Sequence, residues 1–218
     1  MSIMVKFKSK NNKKVLQIEL CNIEKNNAIS LKMLDYMIKK LSDTNYVNKF
    51  QCLVITGVNK SPFSAGADLD DIEKLIKKNN IDYYHKKLSV LTKLISNLKI
   101  PSICLIRSYC FGAGLILALH SDFLLSSSKT LFCIPAARLN IKIPRNQVMY
   151  LKRKINESFL KDILLSSRTF SATEALQQNV ISACIDEENF DKEVNKYLIK
   201  LIKNQKNINS YFLKLLKS

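Results

Sequence analysis

Short apolar runs separated by amphipathic stretches fill the first two thirds of the chain, and helical spacing takes over from about residue 146. The run VLQIELCNI (15–23) predicts a strand, and SLKMLDYMIKKLS (30–42) an amphipathic helix with Ser30 as its N-cap. QCLVITG (51–57) reads as a buried strand ending at Gly57. The segment 58–78 begins as a loop and becomes a helix whose first turn carries Asp68, Asp70 and Asp71, acids that suit the positive end of a helix dipole. Helical spacing resumes over 83–99 and stops before Pro101. PSICLIRSYC (101–110) is the next strand, LILALH (115–120) a helix, and DFLLSS and TLFCI two short strands. Beyond them QVMYLKRKI, ESFLKDILLSS and SATEALQQN read as helices, VISACI as a strand, and NFDKEVNKYLIKLIKN as a last helix. The first fourteen residues, polar and basic, receive no element and have no signal-peptide core.

Strand–turn–helix recurs at 52–78 and 102–120, which predicts an α/β domain. With strands first and helices last, the helical part reads as an appendage on a sheet core. A length of 218 residues accommodates one full hydrophobic core, so a single domain over 1–218 is expected. No apolar run approaches the ~18–20 residues that span a bilayer, and a cytoplasmic protein with no membrane partner is the expectation. Six scattered cysteines without a C-x-x-C pair read as buried free thiols in a reducing compartment. Two histidines argue against a histidine-rich metal site, and no metal is expected.

Net charge changes the picture less than its size suggests. The chain carries +17, almost entirely as lysines spread in twos and threes along its length. A specific nucleic-acid binder concentrates charge with arginine and aromatics on one element, so no specific nucleic acid is expected. A solvated lysine-rich face accounts for the pattern; the alternative is attraction to a polyanionic ligand or acidic partner.

The glycines say more. Only four are present, where average usage would give roughly fifteen. Gly66 in FSAGADL and Gly112 and Gly114 in CFGAG mark two strand-to-helix turns. Exposed backbone N–H groups at such turns bind anions. Two turns facing each other would pair N–H donors as an oxyanion hole does, and two tight turns that merely pack is the other reading.

SPFSAGADLDDI, followed by IPSICLIRSYCFGAGLILALHSDFLLSSSKTLFCIPAARLNI, closely resembles the crotonase (enoyl-CoA hydratase/isomerase) superfamily. IEKNNAISLKML matches that family's N-terminal motif on the nucleotide side, and RTFSATEALQQNVISACI its later segment. The resemblance implies a crotonase (ClpP-like) ββα superhelix core over about 5–185 with C-terminal helices over 186–218. It also implies assembly as a homotrimer or hexamer, and an acyl-CoA or carrier-protein-bound acyl thioester as substrate with no permanently bound cofactor. Carried over to this chain, the backbone N–H groups of Ala67 and Ala113 would hold the thioester oxygen. Lys25, Asn27, Ala28, Ala65, Asp68 and Leu69 would border the adenine and pantetheine.

Two departures from the family pattern bear on chemistry. The family's hydratases use two glutamates as acid and base, and those positions are Ile116 and Ala136 in this chain. Neither side chain can transfer a proton, which counts against hydration of an enoyl-CoA and favours decarboxylation or isomerisation through an enolate. His120, one turn beyond Ile116 on roughly the same face, and Tyr84, within the polar cluster Tyr83–Lys86, are the candidate replacements. Arg138, Lys142 and Arg145 could meet a carboxylate or phosphate, and Cys110 and Cys133 pack as small hydrophobes. The end of the chain at SYFLKLLKS is earlier than in most relatives and implies a reduced cover over the pocket. The losses leave two readings, an enzyme of enolate chemistry and a catalytically inactive acyl-CoA-binding or scaffold homologue.

Overall fold

Every residue of the strand Val15–Leu20 is buried, and the architecture grows outward from it. The structure, a computed structural model, describes residues 4–217. In chain order the strands are β1 (Val5–Lys10), β2 (Val15–Leu20), β3 (Cys52–Gly57), β4 (Ser102–Ile106), β5 (Tyr109–Phe111), β6 (Phe123–Ser127), β7 (Leu131–Cys133), β8 (Thr169–Ser171) and β9 (Ala183–Ile185). The α-helices are α1 (Leu31–Leu41), α2 (Thr44–Val47), α3 (Leu69–Lys77), α4 (Ile81–Ser96), α5 (Gly112–Leu119), α6 (Arg145–Lys154), α7 (Glu157–Ser166), α8 (Ala172–Gln177), α9 (Phe190–Lys203) and α10 (Lys206–Leu216).

A six-stranded sheet runs β1-β2-β3-β4-β6-β9, parallel throughout except for the antiparallel β1. A second, three-stranded sheet runs β5-β7-β8. The basic N-terminal stretch therefore holds a strand that hydropathy does not predict. β1 is an edge strand with only Val5 buried, and Asn11, Asn12 and Lys13 at φ 51°, 53° and 63° turn it back onto β2. Asparagine tolerates that left-handed conformation better than most residues. β8 is likewise unpredicted, a three-residue strand between α7 and α8.

The predicted strand 101–110 is two strands in two sheets. The break falls at Arg107 and Ser108, with Ser108 at φ 62°. Arg107 pins the break: its Nε lies 3.0 Å from Glu187, its Nη2 3.0 Å from Asp191, and its guanidinium 4.3 Å from the Phe190 ring centre. Phe190 opens α9, so this arginine ties the end of β4 to the last third of the chain.

Parallel strands are apolar on both faces because helices cover both. On one face Leu16, Ile18, Leu53, Ile55 and Cys104 meet Met33, Leu34 and Met37 of α1 and Leu91 and Ile95 of α4. On the other, Val15, Cys52, Val54, Ile103 and Leu125 meet Phe190, Val194 and Leu198 of α9. The late helices are thus not an appendage, because α9 covers a sheet face that would otherwise be exposed. The cysteines are all free, four of them buried. No helix among the described residues is long and apolar enough to cross a membrane.

Phe190→Ala should lower unfolding stability by about 3–5 kcal/mol, the usual cost of emptying a phenylalanine site in a core. The urea midpoint measures it. A change within 0.5 kcal/mol would mean that α9 is dispensable to the core.

Candidate active site

Two turns meet at the site, each shaped by backbone pairing. In the first, Ile29 donates its N–H to the Gly66 carbonyl at 2.7 Å and accepts from the Asp68 N–H at 3.0 Å. This is a parallel bridge between Ile29 and Ala67. In a bridge of that pattern the N–H of Ala67 itself points to the side away from Ile29. Ala65 donates to Asn26 O at 2.9 Å and Gly66 to Ser64 Oγ at 3.1 Å, so the neighbouring donors are occupied. In the second turn β5 runs into α5, and Ala113 is the second residue of that helix. Its N–H is one of the first four, which have no acceptor within the helix.

The glycines let these turns touch. Gly66 has φ 112° and Gly112 φ 47°, in the region L-residues avoid. A Cβ on Gly112 would stand 3.6 Å from Gly66 Cα, and one on Gly66 would stand 3.4 Å from the Phe111 carbonyl oxygen. Gly114 serves a different end: a Cβ there would lie 2.5 Å from Ser64 Cβ.

A cavity of about 410 Å³ opens beside the contact. Ala65, Gly66 and Ala67 line it from one turn and Gly112 and Ala113 from the other. Ile116 and Ala136 also face it, as do Lys25, Ala28, Asp68, Leu69 and Tyr84. Most of the residues carried over from the family motifs are therefore brought together, with Tyr84; Asn27 and His120 are not.

Asn27 does not line the cavity. Its side chain is fully buried and donates to Ser61 Oγ at 3.0 Å and Pro62 O at 2.7 Å, holding the loop behind the first turn. His120 is the other exception. As the residue that ends α5, it turns away from Ile116 and is buried against α4 and α6. Its ring stacks on Tyr150 at 3.6 Å, its Nδ1 lies 2.8 Å from Ser96 Oγ, and its Nε2 lies 2.9 Å from Gln147 Oε1.

The surrounding network fixes the tautomer of His120. Thr92 donates its hydroxyl to Ser89 O, so it accepts from Gln147 Nε2, and Gln147 Oε1 is left facing His120 Nε2. That nitrogen carries the proton, and Nδ1 accepts from Ser96. Burial pushes the imidazole down to about 4, with nearby Lys154 adding to the fall and Gln147 opposing it.

The acids at the first turn also have structural partners. Lys25 Nζ bonds both oxygens of Asp68 at 2.9 Å and Asp70 at 2.6 Å, and these carboxylates, Asp70 first, hold its ammonium protonated. Asp68 caps α3 through the Asp70 N–H, and Asp71 accepts from the Leu31 N–H at 2.8 Å. Tyr84 donates its buried hydroxyl to Ile29 O at 2.8 Å, and burial raises its proton affinity.

From the Tyr83–Lys86 cluster, Tyr84 and His85 reach the cavity. Lys142 lines it too, whereas Arg138 and Arg145 do not. Gln147 is a wall residue that sequence reasoning missed. It sits at the start of an amphipathic helix and carries no motif, so nothing in the sequence marks it. Cys110 and Cys133 are buried away from the cavity, and burial raises both thiols.

A family model described as enoyl-CoA hydratase/isomerase matches residues 10–218. The chain belongs to the enoyl-CoA hydratase/isomerase (crotonase) family. It is 24% identical over 171 residues to "Probable enoyl-CoA hydratase 2, mitochondrial" of Arabidopsis thaliana, covering 78% of this chain and 56% of the relative. It is 27% identical over 176 residues to "Carnitinyl-CoA dehydratase" of Escherichia coli (strain K12), covering 81% and 66%. The chain thus spans little more than half the length of the Arabidopsis relative. The solved enoyl-CoA hydratase/carnithine racemase of Magnetospirillum magneticum superposes with a TM-score of 0.92 at 18% identity, over 99% of this chain and 80% of that one. A putative enoyl-CoA hydratase/isomerase (crotonase) of Legionella pneumophila gives 0.89 at 24% identity, over 98% and 82%. At these identities the likeness establishes the crotonase fold, as the resemblance implied.

Gly114→Ala should destabilise this crotonase by about 1–3 kcal/mol, because the added methyl overlaps Ser64. Pairing it with Ser64→Gly removes the opposing Cβ, and the double variant should lose less than the two single losses added together, in urea titrations. His120 predicts a pH effect. Its folded-state value lies below the ordinary 6.5, so the unfolded chain binds more protons between about 4 and 6.5. Its contribution is full above that window and is lost as pH falls through it, by roughly 3 kcal/mol in total. Thermal unfolding of His120→Gln across pH 4.5–7 should show a shallower slope than the parent; equal slopes would contradict the burial argument.

Proposed function

We propose that this protein acts on an acyl thioester, carried by coenzyme A or a carrier protein, by stabilising an enolate in the cavity between its two glycine turns. The N–H groups of Ala67 and Ala113 take the developing charge on the thioester oxygen. Decarboxylation or isomerisation is the reaction, not hydration of an enoyl thioester. One observation carries this reading. The two donor-bearing turns border a single cavity whose wall, at both positions where hydratases need a glutamate, is the apolar Ile116 and Ala136. The carboxylates that do line the cavity, Asp68 and Asp70, are paired with Lys25.

An enolate needs only charge stabilisation when CO2 leaves, because the C–C bond supplies the electron pair. Fixed N–H dipoles in an apolar cavity provide that without reorganising. Hydration has a different demand, since an acid and a base must act on one water. The reading requires no resident cofactor, and a chain of net charge +17 suits the phosphates of a CoA carrier. Catalytically inactive binding is favoured by one fact, that Tyr84 and Gln147 are already bonded within the protein.

Chromatography coupled to mass spectrometry, which resolves the enoyl isomers by retention and CO2 loss by mass, separates these readings when full-length protein is given malonyl-type, β,γ-enoyl and α,β-enoyl thioesters. We expect loss of CO2 or double-bond migration, and a fall of about 10²–10³ in kcat for Ala113→Pro, which removes one donor. Proline is tolerated in the first turn of a helix, so the fold should survive. Addition of water to the α,β-enoyl thioester would refute the argument from Ile116 and Ala136. Binding without conversion would identify an inactive homologue.

A further inference from the structure

The cavity holds several polar side chains, and their commitments differ. Lys25, Asp68 and Asp70 form one ion-paired cluster at the first turn. Tyr84 donates its hydroxyl hydrogen bond to the Ile29 carbonyl. Gln147 spends its amide on Thr92, Ser89 and His120. Lys142 brings a cation and not a base. His85 is left.

Tyr84, His85 and Leu88 of α4 all line the cavity, with Leu88 about one turn beyond the other two. The His85 side chain is 15% exposed, and its Nδ1 lies 3.9 Å from an oxygen of Asp82, beyond hydrogen-bond length. Asp82 is itself 84% exposed, so water screens it and it does not lock the ring. Nε2 lies on the opposite side of the ring from Nδ1. Burial holds the imidazole below its ordinary value and outweighs Asp82, so it is neutral at pH 7 and able to accept a proton.

We propose that His85 is the catalytic base of this cavity, taking and returning the proton in the double-bond isomerisation of the reading above. This rests on the enolate reading above. The imidazole takes the proton from the carbon between the thioester carbonyl and the double bond. The C–H electron pair moves into a dienolate whose negative charge rests on the thioester oxygen at the Ala67 and Ala113 N–H groups. The imidazolium then returns the proton to the γ carbon, and the double bond ends conjugated with the carbonyl. No other reactant enters, and the protein emerges with its starting protonation.

The charged and titratable groups that share the cavity or the helix with His85 bear on its pH behaviour. They are Asp82 and Tyr84 on its own helix, Asp68 and Asp70 with Lys25 at the first turn, and Lys142 on the segment before α6. Ion pairing at the first turn raises Lys25 and lowers Asp70 from their ordinary values, away from the window of His85, so the rate should follow a single ionisation.

The experiment uses the full chain in D2O with a 3-enoyl-CoA, read by NMR for double-bond migration and deuterium at the α and γ carbons. Wild type is compared with His85→Gln, which keeps the bulk and polarity but cannot carry the proton, and with Ala113→Pro. His85→Gln should lose 10²-fold or more in kcat with KM nearly unchanged, the usual span for removing a general base. Wild-type kcat/KM should rise with pH through one step below 6.5. Free imidazole should restore part of the rate to His85→Ala, a rescue that a purely structural role would not give. Activity lost in Ala113→Pro and retained in His85→Gln would overturn the His85 assignment and leave the enolate reading standing. Binding of the thioester with neither migration nor exchange in wild type would also overturn it. Failure to bind any thioester would remove the enolate reading as well.

Discussion

Backbone meets backbone where the Gly66 turn lies against the Gly112 turn, and the site depends on that approach. With Cβ positions 3.4–3.6 Å from the opposing main chain, no longer side chain fits between the two turns without moving one of them. Each turn is independently anchored behind the contact. The first is bridged to Ile29, which Tyr84 also bonds, and the second is continuous with a helix buried from Ala113 to Leu119. The contact therefore sets the Ala67 turn and the Ala113 turn side by side on anchored supports, both bordering one cavity.

The rest of the molecule supplies rigidity to that contact. Parallel strands with two apolar faces need cover on both sides, and α1 and α4 cover one while α9 covers the other. Arg107 joins these layers at the point where the chain leaves the large sheet for the small one and heads into the second turn. An arginine suits that position because its planar head can bond two carboxylates and stack on Phe190 at once.

Polar side chains near the cavity divide by what they do for the structure. Lys25, Asp68, Asp71, Tyr84, Asn27 and Gln147 all make specific bonds that hold turns, caps and helices in register. His120 belongs with them, a neutral buried ring satisfied at both nitrogens. Ile116 and Ala136 give the cavity an apolar stretch of wall, and His85 lines it as well.

The sequence by itself determined the elements whose pattern is local. The apolar runs of β2, β3 and β4, the capped helices α1 and α3, and two glycine turns in a chain with four glycines were all legible, and the ordered motifs identified the crotonase fold. The absence of a carboxylate at residues 116 and 136 was equally plain. Tertiary structure alone decided what depends on partners distant in the chain. β1 is a strand only because β2 offers an edge to its polar residues, and α9 is core only because a sheet face awaits it. The facing of Tyr84 and His85, the turning away of His120, and the presence of Gln147 rest on a rotation of each helix about its axis. Spacing fixes which residues share a helix face; packing against the sheet and neighbouring helices fixes which face looks into the cavity.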